Sequence, residues 1–401
     1  MKSLEVKEVL FRKSIMKIPT TTYGVFSLYK YPAKFIPQVP AFVMENYAKP
    51  GMKIFDPFAG FGTVGLVARL YGLSYELWDL NPMLEYIHSV VTSKLAYLDI
   101  IEIIKNHTVE FIPKWSNIGY WHPEEFLRIL AKAWGVYHSS DQLLKNILLI
   151  PLLKTTKYFS YADEKVHKLY KSRYAKEKVD RLLKQDYQAL FYSMLDKELK
   201  ETLKKLSEYQ KLKPKDVPFN IRAGVDVLEE DLREYAHVML TSPPYLQAQE
   251  YIRTTKLELF WLGFDEDHVK ELSKKEIPYR HVKKIEIKSS TYYTYRALIQ
   301  EQNLIELYDN YFHAILGVFE RLSQKITDYL FIFVGPAKIR GLRIPIHEII
   351  TEHMIELGFT HEITYVDKIV SRVMFSTKKN PATGLEDSRM DREYLVVLKN
   401  A

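Results

Sequence analysis

Apolar residues recur along this chain in two rhythms, and the change between them divides it. From about Tyr31 to Pro82 short apolar runs alternate with breaker residues. "AFVMENYA" has helical spacing, "KPG" ends it, "MKIFDPF" reads as a short strand, "AGFGT" as a glycine loop, "VGLVARLYG" as a helix and "SYELWDL" as a second strand. Strand–glycine loop–helix–strand units build parallel sheets. From about Met83 to Lys215 the spacing turns helical, as in "LDIIEIIKNHTVEFI", "PEEFLRILAKAW" and "DYQALFYSMLDKELKETLKKLSEY", and glycine becomes scarce. Strand-like runs return with "FNIRAGVDV" and "YAHVMLTSPPY". A charged stretch after Trp261 predicts loops and short helices. A helix over "LIELYDNYFHAILGVFERLS", the strand "DYLFIFVG", a helix over "IPIHEIITEHMIELG" and the strands "FTHEITYVDKIV" and "REYLVVLKN" follow. The pattern predicts an α/β protein: a Rossmann-like sheet with helices on both faces and a mostly helical insertion.

Composition narrows this only a little. The 401 residues include 57 Lys and Arg against 50 Asp and Glu, a net charge of +7 that permits a polyanionic partner without demanding one. No apolar run reaches the roughly 20 residues that span a bilayer. The charged N-terminus, "MKSLEVKEVLFRKSIMK", has no signal-peptide core. A cytoplasmic protein with no membrane partner is the expectation. Cysteine is absent, so disulfides, thiolate metal sites and a cysteine nucleophile are excluded. His88, His107 and His122 have no metal-ligand spacing, and no metal is expected. Abundant Lys, Glu, Ile and Tyr point toward a thermophilic source.

Three stretches carry chemistry. In "FDPFAGFGT", Phe55 to Thr63, a strand runs through two glycines into a helix. Such a turn lets backbone approach a ligand, and the free amides of the helix start favour an anionic group. In "WDLNP", Asp79 stands at the end of the next strand, where an acid can hold two ribose hydroxyls. The third glycine of a dinucleotide fingerprint is missing, so the pair points to an adenosine-containing cofactor other than NAD. In "TSPPY", two prolines stiffen a strand end and remove two amides, leaving their carbonyls as acceptors. Ser242 adds an oxygen and Tyr245 a flat ring. Acceptors beside an aromatic ring suit an exocyclic amine on a nucleobase.

Together these residues resemble the S-adenosylmethionine-dependent DNA amino-methyltransferases, which methylate cytosine N4 or adenine N6. "DPFAGFGT" is similar to the family's cofactor motif. "TSPPY" is similar to its catalytic motif in the form typical of the cytosine-N4 group. "YPAKFIPQVPAFVMENYAKPG" is similar to a further cofactor element. The resemblance implies S-adenosylmethionine as cofactor, bound by Tyr31, Lys34, Phe35, Asp56, Phe58, Gly60, Gly62, Thr63 and Asp79, with Asp226 toward its adenine. It implies Ser242, Pro243, Pro244 and Tyr245 as the catalytic set. Phe61 and Tyr31 depart from the family's usual small residue and His. The missing cysteine agrees with amine methylation, because attack on a cytosine ring carbon uses a thiolate.

The implied substrate is double-stranded DNA, whose target base must be flipped out of the stack. Lys154 to Lys178 carries eight Lys or Arg against three Asp or Glu, interleaved with Tyr158, Phe159, Tyr161, Tyr170 and Tyr174. Basic residues among aromatics suit nucleic acid, and Lys168, Tyr170, Lys171 and Arg173 are the predicted DNA contacts. The implied organisation is a cofactor-binding part over 1–83 and a helical, candidate target-recognition insertion over 84–220. The catalytic motif follows over 221–264, a charged loop region near DNA over 265–300, and the rest of the catalytic domain over 301–401. The expected role is the modification half of a restriction–modification system, with a restriction endonuclease acting on the same site. Adenine-N6 methylation, RNA methylation and non-catalytic DNA binding are the competing readings.

Overall fold

The computed structural model describes residues 5–31, 35–166, 168–246, 250–368 and 392–400. Ten strands are present among them: β1 (Val6–Val9), β2 (Lys53–Asp56), β3 (Ser74–Asp79), β4 (Phe219–Ala223), β5 (Ala236–Thr241), β6 (Ile326–Val334), β7 (Ala337–Ile339), β8 (Leu342–Ile344), β9 (Thr360–Lys368) and β10 (Arg392–Lys399). Eight form one sheet in the order β1-β9-β10-β6-β5-β2-β3-β4, and β7 pairs with β8 in a small hairpin. Strands β4, β3, β2, β5 and β6 run parallel. Strand β10 lies antiparallel between β6 and β9.

Alternation along the strands explains why both faces are covered. Ile54, Val238, Leu240, Phe331, Phe333, Leu395 and Val397 belong to one core. Their neighbours Phe55, Met239, Leu330, Ile332, Val334, Val396 and Leu398 belong to a second. Successive side chains point to opposite faces, so a strand apolar at every position needs helices on both sides. Fully burying each such side chain stabilises the fold by about 1.5–3 kcal/mol. Helices Gln38–Asn46, Thr63–Tyr71 and Met83–Thr92 cover the first face. Helices Gln302–Ser323 and Ile346–Glu356 cover the second. This is the expected α/β Rossmann-like architecture.

Between β3 and β4 the described residues are helical or irregular. The chief helices there are Glu124–Ser139, Gln142–Tyr158, Arg173–Leu183 and Tyr187–Lys211. They share the first core, and the Tyr209 hydroxyl donates to the Leu66 carbonyl at 2.7 Å. The helix expected over "LDIIEIIKNHTVEFI" stops at Asn106. Its continuation runs extended, and the Phe111 amide bonds the Ala131 carbonyl at 2.9 Å. β-Branched Thr108 and Val109 disfavour further helix.

From β2 the chain moves outward to β3 and β4, then returns to β5 on the other side of β2. Ligands in open α/β sheets bind where the order reverses, beyond the carboxyl ends of the strands. Here those ends are Asp56 and Thr241.

Candidate active site

The glycine loop opens from β2. Asp56 is buried and accepts from the Phe58 amide at 3.1 Å and from the Thr241 hydroxyl at 2.6 Å. Burial pushes its carboxyl up to about 7, outweighing both hydrogen bonds. Gly60 and Gly62 have φ of +54° and +85°, a region that other residues adopt only under strain. The Gly62 turn starts helix Thr63–Tyr71. The Thr63 hydroxyl there is buried without a hydrogen-bond partner among the described residues.

Asp79 ends β3 facing this loop. One carboxylate oxygen accepts from the Gly60 amide at 2.7 Å, the other from the Asn81 amide at 2.8 Å. Burial raises this carboxyl to about 6. Each carboxylate oxygen keeps a further acceptor direction. Asn81 is itself fixed, donating to the Thr255 hydroxyl at 2.9 Å and accepting from the Met83 amide at 3.1 Å.

Beyond these strand ends lies a cleft of about 760 Å³. Tyr31, Phe58, Gly60 and Asp79 line it, as do Asp226 past β4, and Ser242 and Pro244 past β5. Residues 147 positions apart or more, from Asp79 to Asp226 at the nearest, thus share one cavity. Asp56, Thr63 and Pro243 are buried and do not line it. Phe35 instead stacks on Phe333, with centroids 5.3 Å apart. Tyr245 is half-buried, and its hydroxyl donates to the Glu393 carboxylate at 3.3 Å. Lys34 lies outside the described residues.

Several lining residues had no signal in the pattern. Tyr251, Ile252, Lys275, Glu276 and Ile277 also line the cleft. Glu276 accepts from the Ile252 amide at 2.9 Å, and burial raises its carboxyl to about 7. The Tyr251 hydroxyl is raised first by burial, then by Asp79, and accepts from the Tyr245 backbone. Arg280 forms an ion pair with Asp226. The charged stretch after Trp261 therefore reaches the cleft through Glu276 and Arg280. Asn81 stands inside "WDLNP" but was not among the predicted site residues. Glu276 and Arg280 were not legible, because only the tertiary fold brings them there.

None of the predicted DNA contacts lines the cleft. Lys168 is half-exposed, 3.9 Å from Glu250. Tyr170 is exposed. Arg173 is exposed and bonds Glu177 at 2.7 Å. The Lys171 ammonium donates to the Tyr120 carbonyl at 2.9 Å and lies 3.6 Å from the Tyr161 ring centroid. Among the described residues, no group of His, Asp and Glu could hold a metal ion, and no helix is long and apolar enough to cross a membrane.

Comparison with known proteins places this cleft in context. The chain is 24% identical over 417 residues to the type II methyltransferase M.MvaI of Kocuria varians, covering 92% of this chain and 90% of that one. The chain resembles type II methyltransferases along nearly its whole length. It is also 24% identical over 335 residues to the type II methyltransferase M.BsoBI of Geobacillus stearothermophilus, covering 76% of this chain and 65% of that relative. No family model matches. Among solved structures, the rRNA methyltransferase aviRa of Streptomyces viridochromogenes aligns at a TM-score of 0.30 and 10% identity over 98% of this chain and 96% of its own. A score that low carries no argument. The resemblance to type II methyltransferases extends well beyond the glycine loop and the SPPY turn.

Proposed function

We propose that this protein is a site-specific DNA methyltransferase that transfers a methyl group from S-adenosylmethionine to the N4 amine of cytosine in duplex DNA. We further assign it the modification role in a restriction–modification pair. One observation carries the reading: the glycine-loop residues Phe58 and Gly60, the ribose candidate Asp79, and Ser242 and Pro244 of the turn after β5 line one cleft. The full-length similarity to type II methyltransferases supports it.

The residues present fit the cofactor. Asp79 and Glu276 place carboxylates on the walls, which suits a cationic ligand, while the Asp226 carboxylate there is already paired with Arg280. Gly60 leaves room that a side chain would take, since a Cβ there would lie 3.4 Å from the Tyr31 ring. When bound, S-adenosylmethionine supplies an electrophilic methyl on sulfur. The chain's own part is to orient the amine that receives it. The Ser242 hydroxyl and the Pro243 carbonyl accept the amine hydrogens, drawing them out of the base plane and returning the lone pair to nitrogen. Rigid acceptors need no reorganisation as charge develops. Tyr245 stacks on the base, and residues 84–220 carry target recognition.

Mass spectrometry of nucleosides from DNA treated with protein and cofactor tests the proposal. N4-methylcytosine is the expected product. N6-methyladenine would overturn the choice of base and keep the reaction class. No methylated nucleoside, from protein that binds both cofactor and DNA, would refute the reading.

A further inference from the structure

We propose that a second groove, beside the cleft and floored by Trp121 and Arg253, is the bed for the DNA strand flanking the reacting base; this rests on the DNA-methyltransferase reading. The groove measures about 920 Å³, and Trp115, Tyr120, Trp121, Glu250, Arg253 and Lys256 line it. Its position is the first argument. Glu250 and Arg253 face the groove, while Tyr251 and Ile252, between them in the chain, face the cleft. Two cavities thus share one short helix, Tyr251–Thr254, as their wall. A polymer with one base in the cleft would bring its neighbouring nucleotides into the groove.

Charge is the second argument. Glu250 is the one acid among the groove's lining residues. It is shared between Arg253 at 2.8 Å and Lys168 at 3.9 Å. One carboxylate cannot neutralise two cations, and Lys256 adds a third with the exposed Glu266 as its acidic neighbour, so three cations face two acids. The excess is positive where a phosphate backbone would run.

The aromatic floor is the third. Trp115 stacks on Phe260 at 4.3 Å and on Trp121 at 6.2 Å, with interplanar angles of 15° and 18°. Trp115 is buried and Trp121 half-buried, so the stack is anchored inside and partly open at Trp121, where the 54% exposed Tyr120 meets it edge-on at 5.1 Å. The Lys256 ammonium lies 6.0 Å from the Trp115 ring. Anchored indoles with cations beside them hold unstacked bases and phosphates. In this arrangement Lys171 belongs to the frame, because it bonds the Tyr120 backbone and lies 4.4 Å from its ring. Arg253 and Lys256 take the phosphate role.

The test compares wild-type protein, R253Q/K256Q and the charge-keeping R253K/K256R in salt titrations of binding to a mixed-sequence DNA duplex, with cofactor affinity as the folding control. Loss of two phosphate contacts should reduce the slope of log affinity against log salt by about 1.8, and the charge-keeping pair should retain it. Trp121→Ala should weaken binding about 5- to 150-fold, with recovery in Trp121→Phe. A wild-type slope in R253Q/K256Q would overturn the groove assignment while leaving the enzyme a DNA methyltransferase. Failure of the wild type to bind any DNA would instead refute the DNA reading, and the groove with it.

Discussion

The Thr241 hydroxyl donates to the Asp56 carboxylate at 2.6 Å, tying the end of β5 to the end of β2. These two residues are 185 positions apart in the chain. One closes the strand before the SPPY turn, and the other closes the strand before the glycine loop. The two proposed halves of the chemistry thus meet in a single buried hydrogen bond. A buried acid raised to about 7 has few ways to stay satisfied, so this bond has leverage over both loops.

Replacing Thr241 with the isosteric Val should destabilise the protein by about 1–3 kcal/mol, because a buried acceptor loses its donor. The sign with pH follows from the raised carboxyl. The folded state binds the Asp56 proton more tightly than the unfolded chain, so that stabilisation is full at low pH. It is lost as pH rises from the ordinary 3.8 through about 7. Without Thr241 the carboxyl rises further, so T241V should lose more stability at pH 8 than at pH 6. Denaturant midpoints at the two pH values check this, and an equal loss at both would refute it.

Cofactor binding should release protons. Asp79 sits at about 6 and Glu276 at about 7 in the unliganded cleft, both raised by burial. A cationic ligand favours the ionised carboxylates and lowers both. The release should therefore appear between about pH 5 and 7. Calorimetry at pH 6 in two buffers of different ionisation enthalpy measures it. S-adenosylhomocysteine, which lacks the sulfonium charge, should release fewer protons. Buffer-independent heats for S-adenosylmethionine would contradict the assignment of these acids to the cofactor site.

Asp79→Ala should weaken S-adenosylmethionine by roughly 10- to 150-fold, which corresponds to about 1.5–3 kcal/mol for hydrogen bonds to a charged group. The structure adds a second cause to the lost ribose acceptor: Asp79 also holds the Gly60 amide at 2.7 Å. Asp79→Asn keeps one acceptor oxygen and should lose less. Unchanged affinity in Asp79→Ala would remove Asp79 from the site.

The sheet was largely legible because its strands are apolar on both faces and its loops are punctuated by Gly and Pro. "MKIFDPF" and "YAHVMLTSPPY" predicted β2 and β5 as strands whose ends bind ligand; that they lie side by side is seen only in the sheet. Strand β1 was not legible. Val6–Val9 is mostly exposed, an edge strand held to β9 by its backbone and nearby by the Arg12–Asp367 pair at 3.0 Å, so it has no apolar alternation. The β7–β8 hairpin is too short to show a period. Within the cleft, motif residues were visible because glycine, proline and acid stand together in sequence. Glu276 and Arg280 were not, since their local context is an ordinary solvated run of charges. The basic, aromatic stretch was visible as composition, but not that Lys171 turns inward onto Tyr120 and Tyr161.

Ser242 and Tyr245 should separate rate from capture. Ser242→Ala removes one acceptor for the amine and leaves the cofactor walls in place, so methyl transfer should fall about 10²–10³-fold with cofactor affinity nearly unchanged. Tyr245→Ala removes the ring and should act on the DNA, at about 1–3 kcal/mol for a lost base stack. Tyr245→Phe distinguishes ring from hydroxyl. It keeps the stack but cuts the 3.3 Å bond to Glu393, so it should behave close to wild type in DNA affinity and lose only the orientation that bond enforces. Single-turnover kinetics on duplex DNA, with affinity measured separately, resolve the three. If Tyr245→Phe proves as damaging as Tyr245→Ala, the hydroxyl and not the ring carries the function, and stacking is the wrong role. Full activity in the Ser242→Ala, Tyr245→Ala double variant would move the chemistry away from the end of β5 altogether.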